Sequence, residues 1–308
     1  MELLNFCSSH ISQAKRLAWE NYQEQRQAVP ALPEIFHLPD MEELAENGLG
    51  CAAFEKGEMV GFLCCLAPFE NAFTTTAKGI FSPIYAHGAV RKGRVQIYQM
   101  LYQAAAQKWV DAGVSSHSIG LYVSDREAEK AFFQYGFGLR CVDAIRLMTP
   151  VQAPSCEGFS FFEVPRESRA QLEPLHRMLN DHFEKSPCFM KHTVPDRWIE
   201  RKNRLFSAAD ASGIVAYVEI ADTAENFVTE LPQVQNICGA FCLPAYRGRG
   251  LYSNLLNFVI RILAAEGYTH LGVDYESFNP TAAGFWQKHF IPYTSGVVRR
   301  IDENVLTK

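Results

Sequence analysis

Cys242-Leu-Pro-Ala-Tyr-Arg-Gly-Arg-Gly-Leu-Tyr-Ser253 is the stretch on which the reading of this chain turns. An apolar run leads into it. An amphipathic run with Leu251, Leu255, Phe258, Val259 and Ile262 on one face leads out. The order is strand end, basic glycine turn, helix start. Such a turn aims several backbone N–H groups and the positive end of a helix at one point, which suits a pyrophosphate. Gly248 and Gly250 let the backbone approach the anion because no Cβ intervenes. Arg247 and Arg249 add charge beside it. A phosphate-bearing ligand is therefore expected in the second half of the chain.

Working outward, the same pattern occurs twice. Gly113 and Gly267 each end an amphipathic helix and precede a strand, 154 positions apart. The same offset carries Ile97-Tyr98 onto Leu251-Tyr252, Asp125 onto Asn279, Ala128 onto Ala282 and Arg146 onto Arg300. An ungapped match of this kind argues for an internal duplication. In the first half the pattern predicts a helix near 10–25, and strands at 51–55 and 59–67 joined by Lys56-Gly57-Glu58. A strand at about 80–86, a long helix, a strand at 118–124 and a helix from about 126 follow. In the second half it predicts strands near 160–164, 204–208, 213–220, 234–243 and 269–275. Thr149 to Glu157, with two prolines and small polar residues, reads as the linker.

Composition narrows the class. The 308 residues suit two domains, and 48% hydrophobic with 20% charged content suits a soluble globular protein. A net charge of −5 gives no footprint for non-specific nucleic-acid binding. No apolar run approaches the ~20 residues of a membrane span. The first residues, Met1 to Cys7, lack the basic flank and apolar segment of a secretory signal. Nine scattered cysteines without a Cys-x-x-Cys pair suggest reduced thiols and a cytoplasmic location. No His-x3-His or Cys/His cluster calls for a metal. The glycine turn lacks the Gly-Lys-Ser/Thr ending of a P-loop and the spacing of a dinucleotide fingerprint.

Arg247-Gly-Arg-Gly250-Leu-Tyr252 resembles the Gln/Arg-x-x-Gly-x-Gly/Ala motif of the GCN5-related N-acetyltransferase (GNAT) superfamily, with Tyr252 where a small residue is usual. Asn279-Pro-Thr-Ala282-Ala-Gly-Phe285-Trp286 is similar to that family's Asn-x-x-Ala-x-x-Phe-Tyr stretch after the fifth strand. The resemblance covers roughly residues 158–302. It implies an α/β fold of two tandem GNAT-like domains, each a twisted mixed sheet flanked by helices. The domains would be a degenerate copy at 1–149 and an acetyltransferase domain at 158–308. Acetyl-CoA would be the co-substrate, held along Phe241, Leu243, Arg247, Gly248, Arg249, Gly250, Leu251, Tyr252, Asn279 and Trp286. Asn279 would hydrogen-bond the pantetheine arm. Trp286 occupies the place of the family's general-acid tyrosine, and an indole is no useful proton source near neutral pH. In the first half Gln96 stands opposite Gly250, Val95 opposite Arg249, and Asp125 and Phe132 opposite Asn279 and Trp286. That half is expected to have lost the cofactor.

Acetyl transfer needs a neutral amine, a held thioester carbonyl and a proton acceptor. The family's fourth strand splays from the fifth and frees an N–H for the carbonyl. Leu243-Pro244 marks such a break, so the N–H of Leu243 or its neighbour is expected to face the acetyl oxygen. Asp274, Glu276 and Glu219 are the candidate bases, and Glu276 lies nearest the splayed end. The bland alternative is that these acids solvate a sheet end or pair with Arg300. Tyr275, Tyr252 and Tyr293 are equivalent candidates for the acid, or the thiolate leaves unassisted. The expected activity is direct transfer to a primary amine of a small molecule or peptide, in a pocket built partly from residues 183–202 and partly from the N-terminal domain. The alternative is a non-catalytic acyl-CoA sensor or scaffold. Sequence sets neither the acceptor nor the oligomeric state.

Overall fold

The computed structural model describes residues Met1–Lys191 and Trp198–Leu306. The chain forms two compact units, one of Met1–Val142 with Pro292–Lys308 and one of Asp143–Ile291. The first runs through β1 (Glu2–Asn5), α1 (Ile11–Ala28), α2 (Glu42–Glu46), β2 (Cys51–Glu55), β3 (Glu58–Leu63), β4 (Gly79–Ser82) and β5 (His87–Ala89). It continues through α3 (Arg94–Asp111), β6 (Ser116–Tyr122), α4 (Arg126–Phe133) and the start of β7 (Gly138–Leu147). The second holds β8 (Ser160–Glu163), α5 (Glu173–Phe183), β9 (Arg204–Asp210), β10 (Gly213–Ala221) and β11 (Val234–Cys242). Then come α6 (Leu251–Ala265), β12 (His270–Glu276) and α7 (Pro280–His289). The last strand, β13 (Ile291–Arg300), leaves the sequence half it follows. It pairs antiparallel with β6 over Thr294–Arg300, and that ladder places it in the first unit.

Local chemistry explains the repeated elements. Lys56 and Gly57 both take positive φ, as a two-residue hairpin between β2 and β3 requires. α3 and α6 end identically. Gly113 and Gly267 are left-handed and donate to Val110 O and Ala264 O, while Val114 and Tyr268 reach back to Trp109 O and Leu263 O. Asp125 and Asn279 each cap the next helix, accepting from Ala128 N and Ala282 N. β6 and β12, the starts of α4 and α7, and the ends of α3 and α6 all keep the 154-residue offset.

In the first unit, β1-β2-β3-β5 is an antiparallel sheet, and β4 runs parallel to β6. The strand expected at 80–86 stops at Ser82, before Pro83, which has no N–H for a ladder, and the chain pairs again only at β5, on a different partner. Ile97, Tyr98, Leu101, Tyr102, Ala105 and Trp109 of α3 bury one face against β2, β3 and α4, with Tyr102 and Trp109 reaching His117 of β6. In the second unit the order is β12-β11-β10-β9-β8, antiparallel except for β11 with β12. Leu255, Val259 and Leu263 of α6 are buried. Each such side chain stabilises by about 1.5–3 kcal/mol, which fixes the helix whose first turn builds the site.

Candidate active site

β11 opens from β12 halfway along. Val234–Ile237 pair with His270–Val273, and there the parallel ladder stops. On its other edge β11 stays paired to β10 as far as Cys242, with a register shift that leaves Cys238 as an extra residue opposite Glu219/Ile220. A bulge of this kind bends its strand and ends pairing on one side. The amide of Leu243 donates to Val215 O at 3.0 Å, so it is not the free N–H expected from sequence. Pro244 does break the strand, two residues beyond the last ladder pair at Cys242. Antiparallel pairs alternate between bonded and non-bonded. With Leu243 bonded, the amides of Ala240 and Cys242 point away from β10 into the opening toward β12.

At the end of this opening α6 begins without a side-chain cap. Gly250 is its N-cap, left-handed at φ 79°, and no acidic residue stands in the first turn. Its first N–H groups are the unsatisfied donors of a helix start, at the positive end of the dipole. A cavity of about 410 Å³ lies against them, walled by the turn, by α7 and by the end of β11. It gathers Phe241, Arg247, Gly248, Gly250, Leu251, Tyr252, Asn279 and Trp286 from the sequence-based set. Leu243, Arg249 and Glu276 do not line it.

Details differ from the sequence reading. Arg247 folds back, its Nε donating to Cys242 O at 2.9 Å and its guanidinium lying over Phe241. Asn279 Oδ1 serves the helix cap and lies 3.2 Å from His182 Nε2. Trp286 is buried in an aromatic cluster with Tyr252, Phe285 and Phe290. The linker is a fitted part. Val151 exchanges two hydrogen bonds with the Asn257 side chain, at 2.7 and 2.8 Å, and Asn254 donates to Pro154 O. A Cβ on Gly250 would lie 2.2 Å from Pro154 Cγ, so this glycine admits the linker as well as leaving the turn open. Gln152, Pro154, Leu179, His182 and His289 line the cavity, and no local motif announced them. Burial, Lys288 and Arg146 hold the His289 imidazole below its ordinary range.

The candidate acids separate clearly. Glu219 is buried and accepts from Arg169 Nη2 at 2.7 Å, Trp198 Nε1 at 2.7 Å and Asn203 Nδ2 at 3.0 Å. A carboxylate so occupied is no base. Asp274 and Glu276 share a face of β12 at the open end. Asp274 is exposed, and desolvation together with the charges of Glu225, Asp143 and Glu276 raises its carboxyl above the ordinary range. Arg300 is engaged with Glu303 and Thr75 and pairs with none of these acids. Of the tyrosines, Tyr252 donates to Tyr217 O at 3.0 Å and burial raises its hydroxyl, while Tyr275 is buried and does not line the cavity. Tyr293 is buried in the first unit. Of the expected acceptor segment 183–202, residues 192–197 lie outside the described residues.

Comparison with known proteins agrees with this geometry. Residues 172–290 match the model of the acetyltransferase (GNAT) family. A GCN5-related N-acetyltransferase from Sphaerobacter thermophilus superposes with a TM-score of 0.54 at 12% identity, covering 97% of this chain and 95% of that one. A GCN5-related glucosamine N-acetyltransferase region of a fungal multi-domain GH3 β-N-acetylglucosaminidase also gives 0.54, at 14% identity over 96% of this chain. This chain spans 38% of that protein's length. No curated protein sequence matches the chain. The fold is therefore a mixed α/β fold of the GNAT class, and the second unit carries the segment that matches the acetyltransferase family. Among the described residues, no helix is long and apolar enough to cross a membrane.

Proposed function

We propose that the chain is an N-acetyltransferase moving an acetyl group from acetyl-CoA to a primary amine of a small molecule or peptide. Its active site would lie in the C-terminal domain, and residues 1–149 would be a degenerate copy that no longer holds the cofactor. One observation carries the reading: the uncapped start of α6 and the open stretch of β11 face a single cavity. The α6 amides and the glycine turn suit the pyrophosphate. Asn279, at the wall beside α7, suits the pantetheine amides. The amides of Ala240 and Cys242 are offered to the thioester oxygen, where negative charge develops. Glu276, at the open end of β12 just outside the cavity lining, is the proposed base through which the ammonium proton leaves. Cys242 reaches the same cavity, but burial holds its thiol at about 11, which favours direct attack by the amine over an acetylated cysteine.

Calorimetric titration with acetyl-CoA tests this, beside a Gly250→Gln variant. A side chain there meets Pro154 and a positive φ, so the variant should lose at least about 100-fold in affinity. One site per wild-type chain is expected. No binding by folded protein would sink the proposal, and binding without turnover over a broad amine panel would leave the sensor reading.

A further inference from the structure

Glu219 is left without a task once it is removed from the list of bases, yet it sits at the point where the cleft opens. It faces Gly239 across the β10–β11 ladder, and the ladder shifts register at the next step. A Cβ on Gly239 would stand 3.0 Å from Glu219 Oε2 and 3.2 Å from its Cβ. The carboxylate thus fills the space beside the bulge that any larger residue would occupy. Arg169 and Asn203 hold Oε1, and Trp198 holds Oε2. Asn203 Nδ2 also reaches Cys238 Sγ at 3.3 Å, tying the bulged residue to the same anchor. A buried carboxylate with this many charge-assisted donors is fixed in place.

We infer that Glu219 is a positioning residue whose anchored carboxylate, acting through Asn203 and Gly239, holds the Cys238–Gly239 bulge and so turns the amides of Ala240 and Cys242 into the cleft. The inference rests on the acetyl-CoA reading above, but it concerns the carbonyl and not the pyrophosphate. Weakening the anchor should leave CoA affinity in place while the hold on the thioester oxygen fails.

Infrared spectroscopy of bound acetyl-CoA, labelled with carbon-13 at the carbonyl, reads that hold directly. The wild-type complex should show a carbonyl stretch lowered relative to free acetyl-CoA. Glu219→Gln is the obvious variant, but it leaves Arg169 buried without its charge partner and its folding must be checked. Asn203→Ala keeps that pair and is the decisive one, while Gly239→Ala sets a methyl 3.0 Å from Glu219 Oε2 and so displaces the anchored carboxylate directly. Each should lose most of the lowering and about tenfold in turnover, the worth of one strong hydrogen bond. CoA affinity should stay within about threefold. Both variants folded, binding CoA and keeping the full lowering would overturn the inference. So would a loss of CoA affinity in step with the lowering, which marks general damage, or a wild-type complex with no lowering. Failure of wild-type protein to bind CoA at all would remove the underlying reading, and this one with it.

Discussion

The start of α6 and the start of α3 are the same place in the two halves of this chain, built to opposite ends. α6 begins after Gly250 with no side-chain cap and no acidic residue in its first turn. α3 also begins after a left-handed glycine, Gly93, but three residues earlier in the repeat, so it is one turn longer. Gln96, aligned with Gly250 by sequence, is therefore inside the helix. Arg94 lines the cavity of about 290 Å³ found here, beside Glu24 and Asp125. Its side chain is 5% exposed and bonds Glu24 at 3.0 Å and Asp125 at 3.1 Å. A guanidinium bridging the α1 carboxylate and the α4 cap stands where the other half leaves its cleft between helix starts. One scaffold thus keeps its caps and strand register while the same gap between helix starts is lined by a buried guanidinium in one half and by uncapped helix amides in the other.

Arg94→Ala is the strongest way to break this contrast. It strands Asp125 beside Glu24 with no counter-charge of equal depth, and loss of one partner from a buried ion pair costs about 3–5 kcal/mol. Urea denaturation should show a loss of that size. Calorimetry should still find a single acetyl-CoA site per chain, because the α3 turn keeps the wrong register for the pyrophosphate. A second site would mean that Arg94 alone closes the first half.

The next contrast lies in the strands. His117 of β6 and Leu271 of β12 are equivalent in the repeat, and both are fully buried. His117 Nδ1 lies 2.9 Å from Tyr102 Oη, and Tyr102 in turn stands at the position of Leu256. Burial, helped by the charge of Arg299, lowers the His117 imidazole to about 4. An unfolded histidine titrates near 6.5. The folded state therefore binds fewer protons between these values. The stability that the neutral ring contributes is whole above about pH 6.5 and is lost as pH falls toward 4, by about 3 kcal/mol in all. His117→Leu, which copies the second half, should make the fall in urea midpoint over this range shallower, leaving the share of His87, whose buried imidazole is also lowered to about 4. An unchanged pH profile would show that His117 is not the group responsible.

Much of this was legible in the sequence where the determinants are local. Gly113 and Gly267 announced helix ends because a left-handed C′ position selects glycine, and Asp125 and Asn279 announced caps for an equally local reason. The glycine turn and the asparagine of α7 led to residues that do share one cavity. What stayed hidden depends on chain that returns from far away. Pro154 against Gly250 and His182 beside Asn279 are contacts between distant segments. Val215, which takes the amide of Leu243, lies 28 positions earlier. Glu219 looked like a base because a lone carboxylate on a strand carries no sign of Arg169, Trp198 and Asn203 converging on it. The C-terminal strand was likewise counted with the half it follows, since nothing in Ile291–Arg300 says which edge it will pair.

Asn279→Asp makes the smallest and most pointed change, because it writes the first half's Asp125 into the second. Aspartate caps a helix start as well as asparagine does, so the bond to Ala282 N and the stability of α7 should survive. What disappears is the amide N–H pair, the only donor that this side chain can offer a ligand. The introduced carboxylate also accepts from His182 Nε2 more strongly, drawing it toward the helix and away from the cavity. Acetyl-CoA affinity should fall by about tenfold, the equivalent of one hydrogen bond, with an unchanged melting temperature. Dephospho-CoA should suffer the same loss, since in the proposed complex the asparagine meets the pantetheine arm and not the nucleotide. A variant that melts normally and binds as tightly as wild type would show that the difference between Asp125 and Asn279 is neutral, and would leave the open turn at Gly250 as the whole of the distinction between the two halves.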